Sequence, residues 1–111
     1  MDKVTHYRQI IQQVIEQYAR EMSHGNQVKI LPIYDTQHDQ YLLVSLGWSN
    51  KRREHAIVFH AQLRNDQIYI EDDRTEEGLS NELLTAGVSE LDIKWAWMNS
   101  FHRQDELPLV A

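Results

Sequence analysis

The chain has 111 residues, no cysteine and a formal net charge of −6 at pH 7. That length holds one domain, spanning residues 1–111, with one core. The lack of cysteine excludes disulfides and thiolate zinc sites and fits a reducing cytoplasm, and the acidic balance argues against unaided grip on a duplex, because counterion release from phosphate needs clustered Lys and Arg.

The start, MDKVTHYRQ, leads straight into charged, periodic sequence, so no signal peptide is expected. No apolar run approaches the ~20 residues that cross a bilayer. Val4, Tyr7, Ile11, Val14, Tyr18 and Met22 recur at helical spacing, and Ile10 and Ile15 widen the stripe. The pattern predicts an amphipathic helix of about five turns, capped by Asp2 or Thr5 and stopping near Ser23-His24-Gly25-Asn26.

Strands are predicted next. Val28 to Tyr34 is apolar on both faces, and Pro32 places it at an edge or a bulge. Tyr41 to Trp48 alternates, with Leu42, Val44, Leu46 and Trp48 on one face; Gly47 signals a bulge or a close backbone approach. Ser49-Asn50 turns the chain. Arg53 to Arg64 carries Ile57, Phe59, Ala61 and Leu63 on one face. Asn65-Asp66 is a two-residue hairpin signal, since both types tolerate positive φ. The returning strand, Gln67 to Asp72, then sets Leu63 opposite Ile68, Ala61 opposite Ile70, Gln62 opposite Tyr69 and His60 opposite Glu71.

Asp73-Arg74-Thr75-Glu76 has capping-box spacing and predicts a second helix with Leu79, Leu83 and Leu84 inward. Gly87 is placed as its C′ residue. Ser89 to Asp92 reads as a short turn, and Ile93 to Trp97 alternates like a fifth strand. The apolar tail, Leu107 to Ala111, is expected to dock on its own domain or on a second subunit. The reading is a single α+β domain: an N-terminal helix, a four-stranded antiparallel meander, a second helix, a short fifth strand and a C-terminal tail. A homo-oligomer, a dimer, is expected from the tail and the Trp strand.

Candidate chemistry is sparse. Glu71, Asp72, Asp73, Glu76 and Glu77 offer oxygen ligands for a divalent metal, but a strand-to-helix junction needs such residues for capping and for the helix dipole. No Lys lies between Lys51 and Lys94 to complete a nuclease-like set. His55 and His60, five apart on one strand, are expected on opposite faces and so share no zinc ion. His55 is expected on the Ile57 and Phe59 face, at the rim of the core. Lys51-Arg52-Arg53 fits a phosphate or an acidic partner, and equally a solvated turn guarding a strand end. Trp95 and Trp97 at strand spacing fit a core or interface better than a platform for stacked bases. His102-Arg103 adds a weak anion contact. No phosphate-binding glycine loop or zinc-protease motif occurs. No metal or cofactor is expected.

Taken in order, Met1-Asp2-Lys3, Thr5-His6-Tyr7, Ile10-Ile11, Tyr41-Leu42-Leu43-Val44, Gly47-Trp48, Lys51-Arg52-Arg53, His55, His60, Asp73, Thr75-Glu76-Glu77-Gly78, Glu82-Leu83, Ala86-Gly87, Ile93 and Phe101-His102 form a block over nearly the full length. It resembles the XisI family, the fdxN-element excision controlling factors of cyanobacteria. Two departures stand out: Ser45 where members often carry Asp, and Arg103-Gln104 where prolines often follow the Phe-His. The resemblance implies a non-enzymatic accessory factor in excision of a DNA element. It also implies a companion similar to XisH, a nuclease-fold protein. No catalytic residue is carried over. Gly47, Trp48, Asp73, Thr75, Glu76, Gly78 and Gly87 are read as the structural residues of the motif. Lys51, Arg52, Arg53, His55, His60 and Arg103 are the partner or anion contacts. The competing expectations are a metal-dependent hydrolase using Asp72, Asp73, Glu76 and His60, and a weak DNA-binding module using Lys51, Arg52, Arg53 and Arg103.

Overall fold

Asp2 caps the first helix, its Oδ1 accepting the Thr5 amide at 2.7 Å. The computed structural model, which describes residues 2–22 and 27–98, has α1 over Lys3–Met22 and then β1 (Val28–Asp35), β2 (Gln40–Ser49), β3 (Arg52–Arg64), β4 (Gln67–Asp73), α2 (Leu79–Thr85) and β5 (Ile93–Trp95). The five strands form one sheet in sequence order. β1 to β4 are an antiparallel meander, while β5 runs parallel to β4. That last step needs a crossover, which α2 supplies. The α+β expectation holds.

α1 buries Tyr7, Ile10, Ile11, Val14 and Ile15, the centre of the predicted stripe. They meet Tyr41, Leu43, Phe59, Ala61 and Ile70 from the sheet and Leu79 and Leu83 from α2. Ile30 and Tyr34 pack onto the same core from β1. The inner face is therefore the one that takes Tyr41 and Leu43 on β2, and the predicted set Leu42, Val44, Leu46 and Trp48 lies on the other face.

Two bulges correct the predicted register. On β3, Phe59 faces Leu43 and Ile57 faces Val44, so Val58 is the extra residue. The bulge moves Ile57 out of the face it was expected to share with Phe59: Ile57 is exposed while Val58 and Phe59 are buried. It also puts His55 on the Ile57 side and away from Phe59, and brings His55 and His60 onto one face, against the expectation of opposite faces. The β3–β4 hairpin turns at Asn65 and Asp66, both at positive φ, and the pairs of Leu63, Gln62 and Ala61 are as expected. A second bulge then sets His60 opposite Asp72, leaving Glu71 unpaired in the ladder.

The second helix begins at Leu79, not at Asp73. Asp73 still serves its start from six residues away: Oδ1 accepts the Thr75 amide at 3.0 Å and hydroxyl at 2.6 Å, and Oδ2 accepts the Leu79 amide at 2.7 Å. The capping box is replaced by a looped turn, and Glu76 stays exposed. Leu84 is exposed as well, leaving Leu79 and Leu83 as the buried pair. Gly87 ends the helix at φ 111°, with the Val88 amide donating to the Leu83 carbonyl. β5 stops at Trp95, and a single 3-10 turn over Ala96–Met98 replaces its predicted second half. Trp95 packs on the core while Trp97 is exposed, so the two do not form a strand-spaced pair. The predicted helix stop at 23–26, Phe101-His102, Arg103 and the apolar tail lie outside the described residues.

Candidate functional site

The β2–β3 hairpin presents the basic run. Its two-residue loop is Asn50-Lys51, both at positive φ, one position later than the predicted Ser49-Asn50. Lys51 is therefore at the tip, with Arg52 facing Ser49 and Arg53 facing Trp48. The Arg53 guanidinium lies 5.7 Å from the Trp48 ring and donates to the Gly47 carbonyl at 3.2 Å. Trp48 is 54% exposed, more than any other described large hydrophobic residue except Leu91 and Trp97. Gly47 is required by a close approach: a Cβ there would lie 2.0 Å from the Gln27 carbonyl oxygen. The same carbonyl accepts the Trp48 amide at 3.0 Å.

His60 joins a chain of side chains. Its Nε2 lies 2.8 Å from Gln40 Oε1; Gln40 donates to Gln62 at 2.8 Å, and Gln62 donates to Glu71 at 2.9 Å. Burial holds the His60 pKa below its ordinary value, outweighing the pull of Glu71 and Asp72. His55 lies two strand pairs further along, opposite Leu46, while His60 is opposite Leu42.

The acidic residues do not converge. Asp73 faces Phe59 on the inner side and spends both oxygens on Thr75 and Leu79, whereas Asp72 faces His60 on the outer side. Among the described residues no group of three or more His, Asp or Glu could hold a metal ion. Asp73→Ala is expected to destabilise the fold by about 1–2 kcal/mol through loss of the α2 start. Chemical denaturation checks it, and a measured loss below a few tenths would show that the turn holds itself.

Two clusters of groups with displaced pKa values tie elements together. Tyr7 donates to Asp92 at 2.5 Å and Lys3 reaches the same carboxylate at 2.9 Å, joining α1 to the turn before β5. Arg8 grips Asp39 through Nε at 2.7 Å and Nη2 at 3.1 Å, and buried Tyr41 donates to Asp39 at 2.8 Å. Burial, then the Asp39 hydrogen bond, pushes the Tyr41 hydroxyl up to about 12. Ser45 is buried and donates to Glu54 at 2.9 Å. An aspartate there would face Glu54 directly, so the serine fits this pair. A linear reading carries no signal of these ties because their partners are far apart: Tyr7 and Asp92 are separated by 85 positions.

The family model described as XisI protein matches residues 1–106. The chain belongs to the XisI family. Its fold is shared with the crystal structure of a XisI-like protein from Anabaena variabilis, with a TM-score of 0.81 at 22% identity over 92% of this chain and 94% of the other. It is also similar to the fdxN element excision controlling factor XisI from Anabaena variabilis, 37% identical, covering 92% of this chain and 99% of that one, with a TM-score of 0.73. No curated protein matches. The XisI fold thus holds Gly47, Trp48 and the basic hairpin as one unit at the end of β2 and β3. Gly78 precedes α2 at φ 90° and Gly87 follows it. No described helix is long and apolar enough to cross a membrane.

Proposed function

We propose that this XisI-family protein is a non-enzymatic accessory factor that controls excision of a DNA element by site-specific recombination, and that it acts by binding an XisH-like nuclease-fold protein. The observation that carries the reading is the 37% identity, over nearly the whole of both chains, to a protein named as an excision controlling factor. The arrangement of polar groups supports it. Asp92 and Asp39, both with depressed pKa values, are held by hydrogen bonds from Tyr7 and Lys3 and from Arg8 and Tyr41 respectively. These two groups tie α1 to the turn before β5 and to the β1–β2 turn. The hydrolase reading needs Asp72, Asp73, Glu76 and His60 on one centre, and the inward turn of Asp73 works against it.

The test is co-expression with the XisH-like protein encoded beside it, followed by size exclusion with light scattering. A stoichiometric complex is the expected result. Wild-type protein that never associates with that companion, over a range of salt and protein concentrations, would overturn the reading.

A further inference from the structure

On the side of the sheet away from α1, β1–β3 carry Leu31, Ile33, Leu42, Val44, Leu46 and Ile57. An antiparallel sheet with that side in water is expected to be polar there. Ile33 is 45% and Ile57 38% exposed. The register sorts the face into rows across the strands. Leu31, Val44 and Ile57 form the central row. Lys29, Leu46 and His55 form the row nearer the β2–β3 hairpin, and Ile33, Leu42 and His60 the row on the other side. By strand spacing these rows make a continuous patch of roughly 14 by 20 Å, unlike the scattered single residues of an ordinary surface.

The two ends of this face carry opposite charge. At the hairpin end, Trp48 and Arg53 form the next row, with Lys29 close by and Lys51 at the tip. At the far end Asp35 is in line with Gln40 and Gln62, and Asp72 is opposite His60. The bulged residue Glu71 belongs to the same end, its Oε2 accepting the Gln62 side-chain amide at 2.9 Å. Arg64 lies one row further out, stacked at 4.3 Å on the Tyr69 ring, and Arg74 approaches Asp72 only to 3.9 Å.

We propose that this face is the interface of a homodimer, in which a second copy docks face to face across a two-fold axis perpendicular to the strands and level with the central row. Such an axis reverses the order of the rows and keeps each strand over its own copy. Leu31, Val44 and Ile57 then each meet themselves, Leu46 meets Leu42, and His55 meets His60. Arg53 arrives over Gln62, one strand spacing of about 4.8 Å from the Glu71 that Gln62 holds. Lys29 arrives over Ile33, one row from Asp35. Symmetry makes each of these contacts twice.

Both halves of the complementarity are thus on one chain, and a single axis satisfies both. An axis along the strands would instead lay the basic hairpins on each other and the carboxylates on each other. A nucleic acid would use the cationic end and leave the apolar rows and the acidic end unmatched. The face from the Trp48 row to the Asp35 row, over β1–β4, measures roughly 19 by 34 Å, close to the ~800 Å² per partner of a standard interface. Trp48 and Arg53, steadied on each other and on Gly47, are the residue types that anchor interfaces. The dimer surface is therefore not the Trp95–Trp97 stretch, where Trp95 packs on the core. The dimer does not depend on the accessory-factor reading above.

Size exclusion with light scattering on the full chain, over a concentration series, tests it. The wild type is expected to be a dimer of 13.2 kDa chains. Ile57→Asp sets two carboxylates against each other on the axis and is expected to be monomeric. Arg53→Glu and Glu71→Lys are each expected to raise the dissociation constant on the order of 10-fold. Mixed together, these two variants are expected to recover wild-type affinity, because both contacts of the mixed pair again join opposite charges. Gln17→Lys, on the exposed side of α1, is the control, and circular dichroism reports folding. Arg53 is exposed, so Arg53→Glu carries the test if Ile57→Asp fails to fold. A wild type that stays monomeric at every concentration overturns the proposal. So does a dimer that neither Ile57→Asp nor Arg53→Glu weakens, and its loss in Leu109→Asp instead would assign the interface to the C-terminal segment. Single variants that weaken the dimer without recovery on mixing overturn the axis. Companion binding lost in Ile57→Asp with the dimer intact would give the face to that partner and overturn the second copy.

Discussion

Gly47→Ala is expected to lower the unfolding free energy by about 2–4 kcal/mol, read as a drop in the urea midpoint with unchanged slope. The backbone at Gly47 has φ 147°, and an added Cβ would lie 2.0 Å from the Gln27 carbonyl oxygen and 2.9 Å from Val28 Cα. Neither atom is the flexible end of a side chain. The carbonyl cannot retreat freely, because it accepts the Trp48 amide at 3.0 Å and precedes the Val28–Gly47 pair that starts the β1 ladder. Overpacking costs about 1–3 kcal/mol and the lost hydrogen bond about 1 kcal/mol more. Gly87→Ala is the internal comparison. It has φ 111° and open space around the missing Cβ, so only left-handed strain of about 1 kcal/mol is expected. An equal or smaller effect at Gly47 than at Gly87 would show that the start of β1 yields. Because Gly47 also receives the Arg53 guanidinium, its replacement is expected to disturb the Trp48–Arg53 pair.

Removing the Asp92 carboxylate is the second large effect. Asp92 is only 8% exposed and accepts the Tyr7 hydroxyl at 2.5 Å and Lys3 Nζ at 2.9 Å. The Tyr7 oxygen in turn accepts the Ser89 amide at 3.3 Å. Asp92→Ala leaves the buried Tyr7 hydroxyl without its acceptor, at an expected cost of about 2–3 kcal/mol. The pH dependence has a definite sign. The Tyr7 hydrogen bond first, and Lys3 after it, hold the Asp92 carboxyl below its ordinary value. Arg8, then Tyr41, do the same for Asp39. A carboxyl with a depressed folded pKa contributes stability that is present above its unfolded value, about pH 4, and lost as pH falls through the folded value. Wild-type stability is therefore expected to fall below about pH 4, and Asp92→Asn and Asp39→Asn each to flatten that acid limb. Guanidinium denaturation over a pH series measures it. An acid limb as steep in both variants as in the wild type would mean that other carboxylates control it.

Local physics decided much of this molecule from the sequence alone. A helical apolar stripe with Asp2 before it, two-residue turn chemistry at Asn65-Asp66 and a glycine after the α2 stripe each act over a few residues, so each was readable in place. The same holds for the close approach at Gly47, where only a residue without Cβ fits, and for the basic run that ends up on a hairpin tip. The family block likewise depends on order and spacing along the chain. What the tertiary structure decided was every feature set by partners distant in sequence. The Val58 bulge, a single extra residue, turned Ile57 and His55 outward and put His55 on the His60 face; strand periodicity carries no signal of it. Asp73 caps α2 across a loop instead of at the helix start, because Leu79 is where the inner face offers a hydrophobic seat. The Tyr7–Asp92 and Arg8–Asp39 ties join residues that are anonymous in a linear reading. The outer apolar face is the clearest case: Leu42, Val44 and Leu46 alternate as any half-buried strand does, and only the position of α1 reveals that their side of the sheet is the one left uncovered.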